Sequence, residues 1–204
     1  MRRAPVLILG LALAAAAQAA EEENAGWEFS ASLYGYAVPD TEDYWNPNLT
    51  ADRGRLHLEA RYQYEAIDSW SIWAGANFSA GESWVFDATA MLGGVFGDLE
   101  GVAPGYRLSL EHGWFGLASE GEYFVDTHDS EGNYLYSWTE AWGSPTDWFR
   151  AGLAVQRTRA YETDLSIQRG VFVGFTYERL DVAGYVFNPG GDDATYVLAG
   201  RFTF

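Results

Sequence analysis

Cysteine is absent from the 204 residues, and so is lysine. Without cysteine, neither a disulfide nor a thiolate metal site can hold the fold, and thiol usage says nothing about compartment. Without lysine, all 12 basic residues are arginine, set against 29 Asp and Glu. So acidic a chain repels phosphate backbones, which excludes nucleic acid as a partner. Long apolar runs are missing after the first twenty residues. Charges or turn residues interrupt every later apolar segment, so a membrane could be crossed only by strands. What is abundant is aromatic side chains (17%) and glycine (23 residues), the composition of a folded β protein rather than a disordered chain.

The opening stretch, MRRAPVLILGLALAAAAQAA, sets Arg2 and Arg3 before an apolar run from Pro5 to Ala17 and then offers Ala17-Gln18-Ala19 as a small-x-small cleavage site. The run is shorter than the roughly 20 apolar residues of a spanning helix. Residues 1–19 therefore read as a secretory signal peptide, and 20–204 as one exported domain with no linker. Cleavage after Ala19 leaves ten arginines against 29 acids, a net charge of −19.

Period-two alternation dominates the rest. From Arg53 to Ala66, Leu56, Leu58, Ala60, Tyr62 and Tyr64 alternate with Arg55, His57, Glu59, Arg61 and Gln63, which puts an apolar and a strongly polar set on opposite faces of a strand. A helix would scatter the same residues without an apolar stripe. Trp70, Ile72, Ala74, Ala76 and Phe78 continue the rhythm, as do Phe149, Ala151, Leu153 and Val155, and Val171, Val173, Phe175 and Tyr177, with Arg169 interrupting that last apolar face. Eleven candidate strands result, while bacterial single-chain barrels have an even number. Ten follow if Gly105 to Val125 is one bulged strand, twelve if Trp84 to Phe96 divides. Pro39 to Asp52 and Asp126 to Asn133 read as long polar connections.

Alternation alone also suits a soluble lipocalin-like barrel with its apolar face inside. Aromatics clustered where apolar faces meet turns, such as Tyr62, Tyr64 and Trp70, Phe78 and Trp84, and Trp148 and Phe149, favour the inverted arrangement, since such rings lie at headgroup level. The last strand, YVLAGRFTF, ends on Phe204 with Phe202 and Tyr196 on the same face. It resembles the carboxy-terminal assembly signal of bacterial outer-membrane β-barrel proteins, although Ala199 stands where that pattern prefers glycine. The resemblance implies a single antiparallel transmembrane β-barrel of ten or twelve strands in the outer membrane. It also implies recognition of Tyr196, Phe202 and Phe204 by the barrel-assembly machinery through strand addition.

An outward apolar face sends Arg55, His57, Glu59, Arg61, Gln63, Arg150 and Arg201 into the lumen, with Asp87, Glu120, Glu122 and Gln156 beside them. Arg and Glu confined there should pair, because an unpaired buried charge is far more costly than a bidentate one. The expected role is noncatalytic, structural or in surface recognition, with outer-membrane lipid as partner and no cofactor. The alternatives are a passive pore for small solutes and a lipid-modifying enzyme centred on His57 with a serine such as Ser71 or Ser109. No Gly-x-Ser-x-Gly motif is present. Asp126, Asp129 and Glu131 faintly echo a calcium loop but lack its late glutamate. The acidic loops, with Asp40, Glu42, Asp43, Asp192 and Asp193, offer weak sites for divalent cations bridging to lipid headgroups. Asn48-Leu49-Thr50 matches a glycosylation sequon that a bacterial setting makes accidental.

Overall fold

A computed structural model describes residues 26–39, 42–128, 132–160 and 166–204; residues 1–19, expected to be a signal peptide, lie outside them, as do Asp40, Asp129 and Glu131. Twelve antiparallel strands close into one barrel: β1 (Glu28–Ala37), β2 (Tyr44–Arg53), β3 (Leu56–Tyr62), β4 (Ser69–Ala80), β5 (Val85–Gly97), β6 (Gly101–His112), β7 (Phe115–Asp126), β8 (Tyr134–Thr146), β9 (Phe149–Ala160), β10 (Ser166–Tyr177), β11 (Leu180–Phe187) and β12 (Thr195–Thr203). Each strand pairs with its sequence neighbours, and β1 closes on β12 with Ala31 opposite Phe202 and Ala37 opposite Tyr196. Beyond the ladder, the Phe204 N–H donates to Phe29 O at 2.9 Å and the Phe29 N–H returns a bond to Phe204 O at 3.2 Å. Phe204 is thus paired into the seam that removes the sheet edge.

The even count arises by neither expected route. Val85–Gly97 stays one strand, and the phase slip after Glu111 is a two-residue turn, Gly113-Trp114, between β6 and β7. The twelfth strand is β2, inside the segment read as a loop. Its turn-forming residues are misleading out of context: Asn46, Asn48, Thr50 and Asp52 alternate with Trp45, Pro47, Leu49 and Ala51, and the polar set points inward, where this barrel wants polarity. Pro47 is tolerated because the β2–β3 ladder begins only at Asn48, so β3 asks no donor of it.

Tight connections, including Gly54-Arg55, Gly113-Trp114, Asp147-Trp148 and Glu178-Arg179, gather at the end that holds Phe29 and Phe204; the connections at the opposite end run from three to seven residues. These are called the turn end and the loop end. Gly54 and Gly113 supply the left-handed backbone their turns need, at φ 55° and 57°.

Sorting of side chains is the reverse of a soluble barrel's. Ile72, Leu92 and Leu153 are 60–62% exposed on the outside, whereas His57, Glu59 and Arg61 are 2–3% exposed inside. Trp27, Phe29, Phe78, Trp84, Trp148, Phe175 and Phe204 ring the outer wall toward the turn end, and Trp45, Trp70, Phe96, Tyr123 and Tyr196 toward the loop end, with Leu33, Leu49, Ile72, Leu92 and Leu153 between. Two aromatic girdles around an aliphatic band are the wall pattern of a barrel solvated by hydrocarbon.

Candidate functional site

The lumen is built from the inward set of every strand, and Arg61 on β3 organises its loop-end half. Its Nη1 donates to Glu122 Oε2 on β7 at 2.9 Å, and its Nη2 to Glu59 Oε2 at 3.2 Å. Nε lies 3.0 Å from Glu59 Oε1, an ion-pair contact whose angle is not that of a hydrogen bond. The guanidinium stacks between two rings, 4.2 Å from the centroid of Tyr64 and 4.3 Å from that of Trp73. Arg107 on β6 also donates to Glu59, with Nη2 to Oε1 at 2.5 Å, and stands 3.4 Å from Glu120 Oε2. Two arginines thus share one carboxylate while each holds a second acid. This is how a water-poor interior keeps several charges from being left alone.

Aromatic packing completes the seal. Trp73 is fully buried with its Nε1 donating to Ser71 Oγ at 2.9 Å, and the Ser71 hydroxyl donates to Glu65 Oε1 at 2.6 Å. The indole lies flat on Gly93, where a β-carbon would come within 2.5 Å of its Cδ2 atom, so glycine there is a requirement of close approach. Phe124, fully buried, stacks on Tyr134, whose hydroxyl donates to Glu122 Oε1 at 3.0 Å. On the far wall Trp138, Phe172, Tyr185 and Phe187 pack edge and face together, and Tyr36 stacks on Tyr44 at 4.6 Å. In the β3–β4 connection, burial pushes the Glu65 carboxyl up from the usual carboxylate range, while Arg61 and the Ser71 hydroxyl pull it back.

Toward the turn end the lumen opens. A central cavity of about 350 Å³ is lined by Tyr34, Tyr64, Arg107, Glu120, Trp138 and Arg201, among others. It adjoins two wider spaces, one of 880 Å³ beside Arg55, His57 and Asp52 and one of 490 Å³ beside Arg150, Asp181 and Glu111. The inside of this barrel is a vestibule with an open mouth at the turns and a packed floor below the loops.

The residues expected in the lumen divide accordingly. His57, Glu59 and Arg61 come together in one network. Arg150 lies across the barrel, fork-paired to Asp181, which also accepts from Thr176 Oγ1 at 2.8 Å. Arg201 lines the central cavity near that pair. Gln63, the residue after β3, is in a left-handed conformation, φ 54°, with its N–H donating to Ser69 O at 2.8 Å. Arg55 sits exposed in the β2–β3 turn with its guanidinium 5.6 Å from the Phe78 ring. Tyr196, Phe202 and Phe204 are about half exposed on the outer wall.

Tyr64 departs from the alternation that grouped it with Leu58 and Tyr62. The reversed backbone at Gln63 swings it into the lumen, where its hydroxyl donates to Glu120 Oε1 at 2.8 Å. Asp52, Glu65 and Arg107 also belong to the network without having been singled out. Asp52 was hidden in the segment read as a loop, and Arg107 could have been found from the inward parity of β6.

For chemistry, His57 is the group to weigh. Its Nδ1 lies 2.8 Å from Asp52 Oδ1 and its Nε2 3.4 Å from Glu59 Oε2, so carboxylates occupy both ring nitrogens. Ser71 is bonded to Glu65 and Trp73, and Ser109 to Asp87 at 3.4 Å; neither touches the imidazole. Among the described residues no three His, Asp or Glu are grouped to hold a metal ion.

No protein-family model matches the chain, and no curated protein matches its sequence. Solved structures do match in shape. The KdgM porin aligns over 86% of this chain and 99% of its own at 10% identity and a TM-score of 0.56. The same porin in complex with disordered oligogalacturonate aligns over the same shares at 9% identity and 0.58. A structure from a study of in-meso crystallization of membrane proteins aligns over 87% of this chain and 83% of its own at 12% identity and 0.56. The fold is that of the bacterial outer-membrane β-barrels. At such identities the likeness fixes architecture and leaves activity to the site.

Proposed function

We propose that this chain is exported by its first 19 residues and inserted into the bacterial outer membrane. Its tight turns face the periplasm and its longer connections the exterior, the usual disposition of such barrels. There it serves as a noncatalytic barrel, structural or recognising at its outer surface, whose lumen is closed to through-passage. The observation that carries this reading is the packed loop-end half: Arg61 bound to Glu59 and Glu122 between Tyr64 and Trp73, with Phe124 fully buried beside them. Insertion proceeds through recognition of Tyr196, Phe202 and Phe204 by the assembly machinery before β12 closes on β1.

Planar-bilayer recording tests the closure. The purified wild-type barrel should show no stable conductance steps, while Trp73→Ala and Arg61→Ala should produce them. Steady wild-type channels whose selectivity changes when Glu59 or Arg61 is neutralised would overturn the reading in favour of a passive pore. The shape shared with KdgM supports that second reading. Its lumen would then favour cations: Asp52, Glu59, Glu65, Glu120, Glu122, Glu140 and Asp181 outnumber Arg61, Arg107, Arg150 and Arg201. A polyanion of the kind named in the KdgM complex would meet repulsion in such a channel.

A further inference from the structure

The outer wall has a charge asymmetry that the lumen does not explain. Along the twelve strands, every described residue whose side chain alternates outward is something other than Asp or Glu, although the chain holds 29 acids. Yet β9 and β10 place two exposed arginines on that wall, Arg157 and Arg169, both near the loop end. The ladder sets Ile167 opposite Arg157 and Arg169 opposite Val155, so the two arginines are diagonal neighbours on one face. Diagonal positions stand about 7–8 Å apart, close enough for both guanidiniums to reach one anionic group. Two like charges side by side repel unless something negative lies between them, and among the described residues neither guanidinium has a hydrogen bond or ion pair.

Position and surroundings identify the anion. Arg169 is pinned at the rim, where its N–H donates to Asn188 Oδ1 at 3.1 Å and its carbonyl accepts the Asn188 N–H at 2.7 Å. Directly toward the barrel's midline the same two strands present Leu153, Val171 and Val173, each about half exposed or more. A guanidinium pair above an aliphatic strip fits a phosphate with acyl chains below it, where a free phosphate would leave the strip unused. We infer that Arg157 and Arg169 clamp a phosphate of a phosphorylated glycolipid in the leaflet at the loop end. Arginine suits this better than lysine because its fork can bind phosphate oxygens two at a time.

The inference rests on the outer-membrane reading with loops outward, and the experiment separates the two. Wild-type barrel, Arg157→Gln/Arg169→Gln, and Arg53→Gln/Arg179→Gln as a charge-matched change at the turn end are placed in phosphatidylcholine nanodiscs. The discs carry a minor fraction of bisphosphorylated lipid A, its dephosphorylated form, or phosphatidylglycerol. Lipid retained per barrel after detergent extraction is counted by native mass spectrometry, and heat-modifiable gel mobility confirms folding. The wild type and the turn-end variant should enrich bisphosphorylated lipid A, and the Arg157/Arg169 variant should lose that enrichment by about thirtyfold, roughly fivefold per arginine. Equal retention by all three barrels, or equal retention of the dephosphorylated lipid, refutes the clamp while leaving the membrane reading intact. Phosphatidylglycerol held as well as lipid A refutes the glycolipid assignment. A wild-type chain found folded in detergent-free extract sinks both readings together.

Discussion

Removing Arg61 is the sharpest perturbation the lumen allows. In Arg61→Ala, Glu59 keeps a partner, because Arg107 Nη2 stays 2.5 Å from its Oε1. Glu122 loses its guanidinium and, among the described residues, retains the Tyr134 hydroxyl at 3.0 Å. Glu65, 3.8 Å from Arg61 Nη1, loses the one cation beside it among the described residues and keeps Ser71. Two carboxylates nearly without exposure are then left together with no positive charge, which costs about 3–5 kcal/mol for a broken buried pair. Loss of two ring contacts adds roughly 1–2 kcal/mol. The expected loss, about 4–7 kcal/mol, is measured as a shift in the urea midpoint of tryptophan fluorescence in detergent. Because the cost arises from stranded charge rather than lost volume, Glu122→Gln in the same background should recover about half of it. A loss under about 1 kcal/mol, with no recovery in the double variant, would show that water already reaches these groups and would refute the sealed interior.

Trp73→Ala should cost about 3–5 kcal/mol by opening a cavity between Gly93 and Arg61, read by the same unfolding assay, and should admit ions in bilayer recordings. At Gln63, φ 54° is easy for glycine and hard for a β-branched residue. Gln63→Val should therefore destabilise by about 1–2 kcal/mol and weaken the Tyr64–Glu120 bond, whereas Gln63→Gly should be near neutral. Phe204→Ala removes a ring stacked on Phe29 at 6.0 Å but not the backbone bonds that close the seam. It should sharply lower the yield of membrane-inserted barrel in cells while shifting the unfolding midpoint of inserted protein little; a large midpoint shift at normal yield would make Phe204 a stability residue only. Edman or mass analysis of the exported chain should find Ala20 at its start.

Alternation in the sequence was enough to say which residues share a wall. Leu56, Leu58 and Ala60 against His57, Glu59 and Arg61 could be sorted with no structure at all, because a strand's side chains must point to opposite sides. Elsewhere the same rule failed for identifiable reasons. Pro47 and the asparagines beside it look like a turn to any local reading, and only their place between β1 and β3 makes them strand residues. One reversed backbone at Gln63 turned Tyr64 from the outer face into the lumen, and no residue type announces such a reversal.

Partnership was beyond the sequence altogether. Arg61 meets Glu122 across 61 residues and Arg107 meets Glu59 across 48. Closure of the barrel, through the pairing of β1 with β12, is what brings those walls face to face. The chain's own rhythm determined two faces and the polarity of each. Which face was enclosed, which acid met which arginine, and which end of the lumen was filled were decided only when the sheet curled shut, because inside and outside do not exist for an open strand.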